Sequence, residues 1–147
     1  MSKIDVLKSY VNLETGSIRF LPVEVEDVNE AEVELGFSLP LSLKRFYSSI
    51  GYGWLGDDTC ADVRNLIIHP LDIVDLYKCE SEFSPLDVFL DGDLPILDCG
   101  GDKFLVVRPN SQFPDRVYRD DGGSVALAED VGALALKLLN SPKFYFE

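Results

Sequence analysis

Residues 28–51 read VNEAEVELGFSLPLSLKRFYSSIG and contain two helical patterns with a short break between them. Apolar residues recur at helical spacing up to Leu35, and Gly36 is placed to end this first helix in the left-handed conformation that glycine adopts cheaply. Pro40 suits the first turn of a second helix, which has a broad apolar face and ends before Gly51. This stretch therefore predicts two helices packed together across a tight connection.

Two further predicted elements precede this pair of helices. Ser2 is a suitable cap for a short N-terminal helix, and residues 18–21 have the pattern of a brief strand. The first helix of the pair starts near Val25, and acidic side chains fill most of the positions outside its apolar seam. We therefore expect an acidic helix with a narrow buried side.

The downstream sequence predicts several short strands and two more helices. The predicted strands are residues 65–68, 96–97, 104–107 and 116–118. Pro70 opens a third helix, the turn-rich residues 99–102 join an antiparallel pair of strands, and a last helix covers about residues 128–139. We therefore predict an α+β fold, in which a mainly antiparallel sheet is flanked by several helices and residues 1–147 form a single domain.

The charge of the chain restricts its partners. Lys and Arg number 13 against 26 Asp and Glu, which gives 13 − 26 = −13, and the sequence pI is about 4.3. Such a chain repels phosphates, so we expect no nucleic-acid partner and instead predict a basic protein. The alternative is that the negative charge serves only solubility. The 46% of hydrophobic residues argue for a packed core.

The N-terminus and the cysteines indicate a cytoplasmic protein. Asp5 and Lys8 interrupt the apolar stretch that a signal peptide would need, and residues 125–139 contain charges that argue against a membrane span. The three cysteines are widely spaced and form no Cys-x-x-Cys pair; they are Cys60, Cys79 and Cys99. We expect reduced, mostly packed thiols and no zinc site.

Two motifs that suggest catalysis or cofactor binding do not fit their sequence context. Residues 51–56 match G-x-G-x-x-G, but the motif follows a helix, and Asp57 and Asp58 would repel a pyrophosphate, so we interpret it as a glycine-rich loop. His69 is the only histidine, and no nucleophile motif accompanies it. We expect His69 to cap or pack at the junction between a strand and a helix.

Acidic residues are dense before and within the predicted antiparallel pair. They are Asp87, Asp91, Asp93, Asp98 and Asp102. Counted from Asp91, a calcium loop would place Pro95 and Ile96 where an oxygen ligand and a glycine belong, so we predict no metal. A pair of acids in a hydrolase stays open as an alternative.

Two motifs together carry a resemblance to a known family. They are Val28-x-x-Ala31-Glu32-x-x-Leu35-Gly36-x-x-Leu39-Pro40-x-x-Leu43-Lys44-Arg45-Phe46-Tyr47-x-x-x-Gly51 and Pro95-Ile96-x-x-x-Gly100-Gly101-Asp102. They resemble the SUKH superfamily, which includes fungal cell-wall-assembly regulators of the Smi/Knr type and bacterial immunity proteins that neutralise toxins. The resemblance covers about residues 25–139.

The resemblance implies a protein that binds another protein without catalysis or cofactor. We predict an immunity protein that neutralises a cognate toxin domain, with a basic nuclease as one suitable toxin. A regulatory adaptor of the Smi/Knr type and then an acid-using hydrolase are the alternatives. Acidic residues beside exposed aromatic side chains would combine electrostatic steering of the partner with apolar anchors that become buried in the complex. The predicted contact residues are Tyr52, Trp54, Asp57, Asp58, Asp98, Asp102, Asp120 and Asp121.

Overall fold

The computed structural model describes residues 3–13, 16–56, 64–78, 92–101, 103–120 and 124–146. Within these residues the strands are β1 (Ile18–Leu21), β2 (Tyr52–Leu55), β3 (Leu66–Ile67), β4 (Leu94–Gly100), β5 (Lys103–Val107) and β6 (Val117–Arg119). The α-helices are α1 (Val25–Leu35), α2 (Leu41–Ser49), α3 (Pro70–Tyr77) and α4 (Val131–Asn140), and Lys3–Tyr10 and Phe144–Phe146 are 3-10 helices. The predicted α+β class is confirmed.

All six strands form one sheet in which each strand is antiparallel to its neighbours. Their order in the sheet is their order along the chain, β1 to β6. Helices α1 and α2 are inserted between β1 and β2, and α3 is inserted between β3 and β4. Gly36 ends α1 with a φ of 83°, so the predicted stop between the first two helices is confirmed.

One face of the sheet holds the main core. The rings of Phe20 on β1 and Phe46 on α2 meet edge to face, with centroids 5.9 Å apart, and both side chains are fully buried. Helix α4 packs against α2 and β2 on this side. Leu97 and Leu105 are opposite each other in the β4–β5 register and are also buried. Helix α3 packs against α1 and against β4.

The prediction that residues 51–56 form a loop is wrong, because Tyr52–Leu55 is strand β2 in the interior of the sheet. Gly53 in this strand allows a close approach to β1. A Cβ atom on Gly53 would lie 2.2 Å from the carbonyl oxygen of Arg19, a distance that no side chain tolerates. The glycine pattern therefore reflects strand packing, which the sequence context did not reveal.

The last helix begins later than predicted. Ala128 forms a β-bridge with Val117 on the outer side of β6, and α4 starts at Val131. Asp130 caps the helix, because its Oδ1 accepts a hydrogen bond of 2.7 Å from the Ala133 N–H. The predicted strand around residues 96–97 is also longer and extends over all of β4.

Candidate protein-binding surface

A row of four side chains crosses the middle of the sheet on one face. The register places Trp54 of β2 opposite Leu66 of β3, Leu66 opposite Asp98 of β4, and Asp98 opposite Phe104 of β5. Directly opposite residues on antiparallel strands project from the same face. We call these four residues the cross-strand row. Trp54 and Asp98 are two strands apart in it, or about 10 Å.

Trp54 is half-buried and pairs with a cation. The guanidinium carbon of Arg19 lies 4.6 Å from the centroid of the indole ring, and the two residues are opposite each other in the β1–β2 register. The stacked guanidinium restricts the orientation of the ring through a cation–π contact. The predicted aromatic anchor is therefore held on a strand and is partly accessible.

Tyr52 contributes to local structure. Its ring meets the His69 ring edge to face, with centroids 4.9 Å apart. His69 Nδ1 accepts a hydrogen bond of 3.2 Å from the Leu71 N–H, while Nε2 lies 3.4 Å from a carboxylate oxygen of Asp27. These contacts assign the imidazole proton to Nε2. The prediction that His69 caps a helix after a strand is confirmed, and Tyr52 supports this cap.

Asp98 and Asp120 lie beside the start of β5. Asp98 Oδ1 accepts a hydrogen bond of 2.9 Å from the Gly100 N–H, and Oδ2 lies 3.5 Å from Nη1 of Arg64. Asp120 Oδ2 accepts a hydrogen bond of 3.0 Å from the Phe104 N–H. Both carboxylates therefore orient the backbone around the β4–β5 turn as well as adding negative charge to the surface.

The other four predicted contact residues are not covered by this description. Asp57, Asp58, Asp102 and Asp121 lie outside the described residues. Asp57 and Asp58 come shortly after β2, which carries Trp54, and Asp102 separates β4 from β5. Their part in the surface stays a prediction.

A groove of about 460 Å³ runs between α3 and the sheet at the cross-strand row. Its lining includes Asp72 and Asp75 of α3, together with Arg64 and Asp98 from the sheet side. Three members of the row take part, because Leu66 and Phe104 line the groove beside Asp98. We call this cleft the α3 groove.

The two acids of α3 were missed from the sequence. Asp72 and Asp75 are exposed and three residues apart, so they share one face of the helix. The sequence signal was available as two acids among the buried residues Ile73, Val74 and Leu76. That signal indicates an exposed face, and only the packing of α3 against β4 shows that this face borders Asp98.

Two side chains of types that can take part in catalysis, Cys99 and Asp93, are buried in the domain. Burial raises the pKa of the Cys99 thiol to about 12, so this thiol stays protonated and is a poor nucleophile. Asp93 is buried, and its Oδ1 lies 3.3 Å from Nε of Arg108. Asp93 precedes β4 and lies five residues from Asp98, or about 16 Å along an extended chain, which is too far for a glycosidase pair.

Comparisons with known proteins agree with the sequence motifs. The model of the SMI1/KNR4 family (SUKH-1) matches residues 22–135. Searches of curated proteins and of solved structures found no match. Among the described residues, none of the helices has both the length and the apolar character that a membrane crossing requires.

Proposed function

Because the chain belongs to the SMI1/KNR4 family (SUKH-1), we propose that it is an immunity protein that binds and neutralises a cognate bacterial toxin domain. The observation that carries this proposal is the cross-strand row, where a half-buried tryptophan and a carboxylate share one face of the sheet beside two exposed acids of α3. Aromatic anchors surrounded by charged groups are typical of protein interfaces.

Net charge supports a basic partner. A charge of −13 attracts a cationic protein over long distances and raises the rate of association. A nuclease toxin needs a positively charged groove for the phosphates of its substrate, and an acidic protein can occupy that groove. We therefore propose a basic toxin domain, with a nuclease as the preferred class, and place the encounter in the cytoplasm.

The proposed contact surface is centred on Trp54 and Asp98. Trp54 would supply buried apolar area, and Asp98 would supply charge at the mouth of the α3 groove. The other proposed contacts are Tyr52, Asp57, Asp58, Asp102, Asp120 and Asp121. Tyr52 and Asp120 would act partly by holding neighbouring structure in place, since both have structural contacts within the domain.

Inhibition by this protein needs no chemistry of its own. Blocking a toxin requires only that the complex cover the toxin's substrate site for longer than the toxin needs to act. The commitment of His69 and Cys99 to structural roles is in keeping with this mechanism. We propose that the protein is not an enzyme.

Coexpression tests the proposed function. The protein encoded next to this chain's gene, or its C-terminal domain, should stop cell growth when expressed alone and should be tolerated when this chain is coexpressed. The pair should also copurify as one complex. A Trp54→Ala variant should protect less well than a matched Phe113→Ala variant, because Phe113 is an exposed aromatic on the loop before β6. Failure of the unmodified chain to protect or to copurify would refute the immunity function.

A pull-down separates the immunity function from the regulatory alternative. The matched family model carries the name of the Smi/Knr regulators, so an adaptor function is the second candidate. An adaptor should recover several unrelated cellular proteins in a pull-down from its own cells. An immunity protein should recover one protein, and that protein should be toxic.

A further inference from the structure

The α3 groove combines an apolar floor with acidic walls. Leu66 and Phe104 of the cross-strand row lie at the sheet side, and Leu76 of α3 is largely buried and lines the same groove. Asp72 and Asp75 lie along the helix side. A cationic side chain with an apolar stem would bury its stem on this floor and keep its charge near the carboxylates.

The acids of α3 are available for a partner. Within the part of the chain that the structure describes, neither Asp72 nor Asp75 makes a hydrogen bond or an ion pair through its side chain. Asp98, on the opposite wall, is paired with Arg64 at 3.5 Å, and the Arg64 side chain is 54% exposed. The groove therefore has more negative than positive charge, and its one guanidinium lies at a solvent-accessible position.

We propose that the α3 groove receives an arginine side chain from the protein partner, in a segment that is rich in basic residues. The proposal rests on the proposed function, because it names the chemistry that the partner presents to this surface. The arriving guanidinium would lie between Asp72, Asp75 and Asp98. It would compete with Arg64 for the carboxylate of Asp98.

Guanidinium suits this groove better than ammonium does. Guanidinium is planar and more weakly hydrated than ammonium, so it stacks on apolar and aromatic surfaces at a smaller desolvation cost. It also forms two parallel hydrogen bonds with one carboxylate, whereas lysine acts as a compact point charge. The Arg64–Asp98 pair already shows that a guanidinium can be accommodated at the edge of this groove.

Peptide binding to the purified protein tests the proposal without a toxin. The probes are hexa-arginine and hexa-lysine peptides, titrated by calorimetry at about 0.15 M salt, where long-range attraction is largely screened. We expect hexa-arginine to bind at least about threefold more tightly than hexa-lysine. Equal affinity for the two peptides would overturn the preference for guanidinium.

Matched variants locate the binding. The Asp72→Asn, Asp75→Asn double variant should weaken hexa-arginine binding about tenfold, which is the effect of losing two favourable charge contacts. The control is Glu26→Gln, Glu30→Gln, which removes the same charge from exposed positions on α1. We expect a change below about twofold for the control. An equal loss of affinity in both double variants would show that the peptide responds only to the net charge of the protein, and would overturn the proposal.

Removing the internal competitor gives the opposite effect. Arg64→Ala should strengthen hexa-arginine binding about threefold, because the Asp98 carboxylate loses its partner. Arg45→Ala is the charge-matched control, since Arg45 is exposed on α2 and lines a separate cleft beside α4. Equal strengthening in both variants would contradict competition for Asp98.

The two proposals fail separately. Coexpression reports whether the chain neutralises a toxin through any surface, and peptide binding reports whether this groove takes a guanidinium. Protection that survives in the Asp72→Asn, Asp75→Asn variant, together with unchanged peptide binding, would overturn the groove and leave the immunity function intact. A groove that binds hexa-arginine in a chain that protects against no toxin would overturn only the proposed function.

Discussion

Replacing Asn65 by Ala should lower the free energy of unfolding by about 4 kcal/mol. Asn65 is fully buried, and its Nδ2 donates hydrogen bonds to the carbonyl oxygens of Leu55 at 3.1 Å and Pro142 at 2.8 Å. Its Oδ1 accepts a hydrogen bond of 2.5 Å from the Tyr145 hydroxyl. Each bond contributes about 1 kcal/mol net. The left-handed backbone of Asn65, with a φ of 46°, adds about 1 kcal/mol for Ala.

Urea denaturation followed by tryptophan fluorescence measures this loss. Trp54 is the only tryptophan, and it lies on the strand that precedes Asn65, so its emission reports the unfolding of the affected region. For a chain of this size a loss of about 4 kcal/mol corresponds to a decrease in Tm of about 12 °C. The slope of the urea transition should stay unchanged, because the native surface area is the same.

Two further variants separate the causes. Asn65→Gly relieves the left-handed backbone and loses the same hydrogen bonds, so it should be about 1 kcal/mol more stable than Asn65→Ala. Asn140→Ala removes an exposed amide that donates a hydrogen bond to the Leu136 carbonyl oxygen of its own helix, and should cost less than about 0.5 kcal/mol. A loss below about 1 kcal/mol for Asn65→Ala would refute the argument that this amide joins the C-terminal segment to the sheet.

Three other predictions concern His69, Asp93 and Cys99. His69→Ala removes the cap of α3 and should cost about 1 kcal/mol in urea denaturation, whereas His69→Asn keeps a capping acceptor and should cost less. Burial raises the pKa of Asp93, so the native state binds its proton more tightly than the unfolded state does. The unfolding free energy should therefore be measured for the unmodified chain and for Asp93→Asn at several pH values. The difference, unmodified chain minus variant, should increase as the pH falls from neutral through the raised pKa of Asp93, and should level off below the ordinary pKa of Asp. A difference independent of pH would contradict this linkage. Burial raises the pKa of the Cys99 thiol to about 12. In a Cys60→Ser, Cys79→Ser variant, this thiol should therefore react with a thiol reagent at pH 8 far more slowly in the native state than in urea. Equal rates in the two states would contradict its burial.

Local signals made the helices and one turn predictable. Gly36, Pro40 and His69 act on the backbone within a few residues of their own positions, so their roles could be inferred from their immediate neighbours. The turn between β4 and β5 was predictable for the same reason, since paired glycines mark it. The family motifs are of this local kind, which is why they predicted the fold class.

Strand β2 was missed because the glycine within it, Gly53, is required by a contact with a residue that is distant in sequence. The close approach of Gly53 to Arg19 involves residues on either side of the inserted helices α1 and α2, and local propensity counts glycine against a strand. The structural role of Asn65 was not predicted, for the same reason, since its side-chain partners Pro142 and Tyr145 lie near the other end of the chain. Sequence patterns within a short window contain no information about such contacts.

The candidate surface was partly predictable. Trp54 and Asp98 were inferred as contact residues from composition and from nearby acids, but their common face depends on the registers of β2, β3 and β4. A shift of one residue in either pairing would move one of them to the other face. Asp72 and Asp75 could not be associated with Asp98 at all, because the packing of α3 against β4 brings them together.

The two ends of β4 carry aspartate–arginine pairs with different physical roles. The Asp93–Arg108 pair has side chains that are 7% and 22% exposed, so removing either partner would leave a poorly solvated charge at a cost of several kcal/mol. The Asp98–Arg64 pair is 21% and 54% exposed, and exposed pairs of this kind contribute only about 0 to 1 kcal/mol. An incoming guanidinium can therefore replace Arg64 without destabilising the fold, whereas the loss of either partner of the buried pair would destabilise it. This difference makes the Asp98 end of β4 suited to exchange of partners and the Asp93 end unsuited to it.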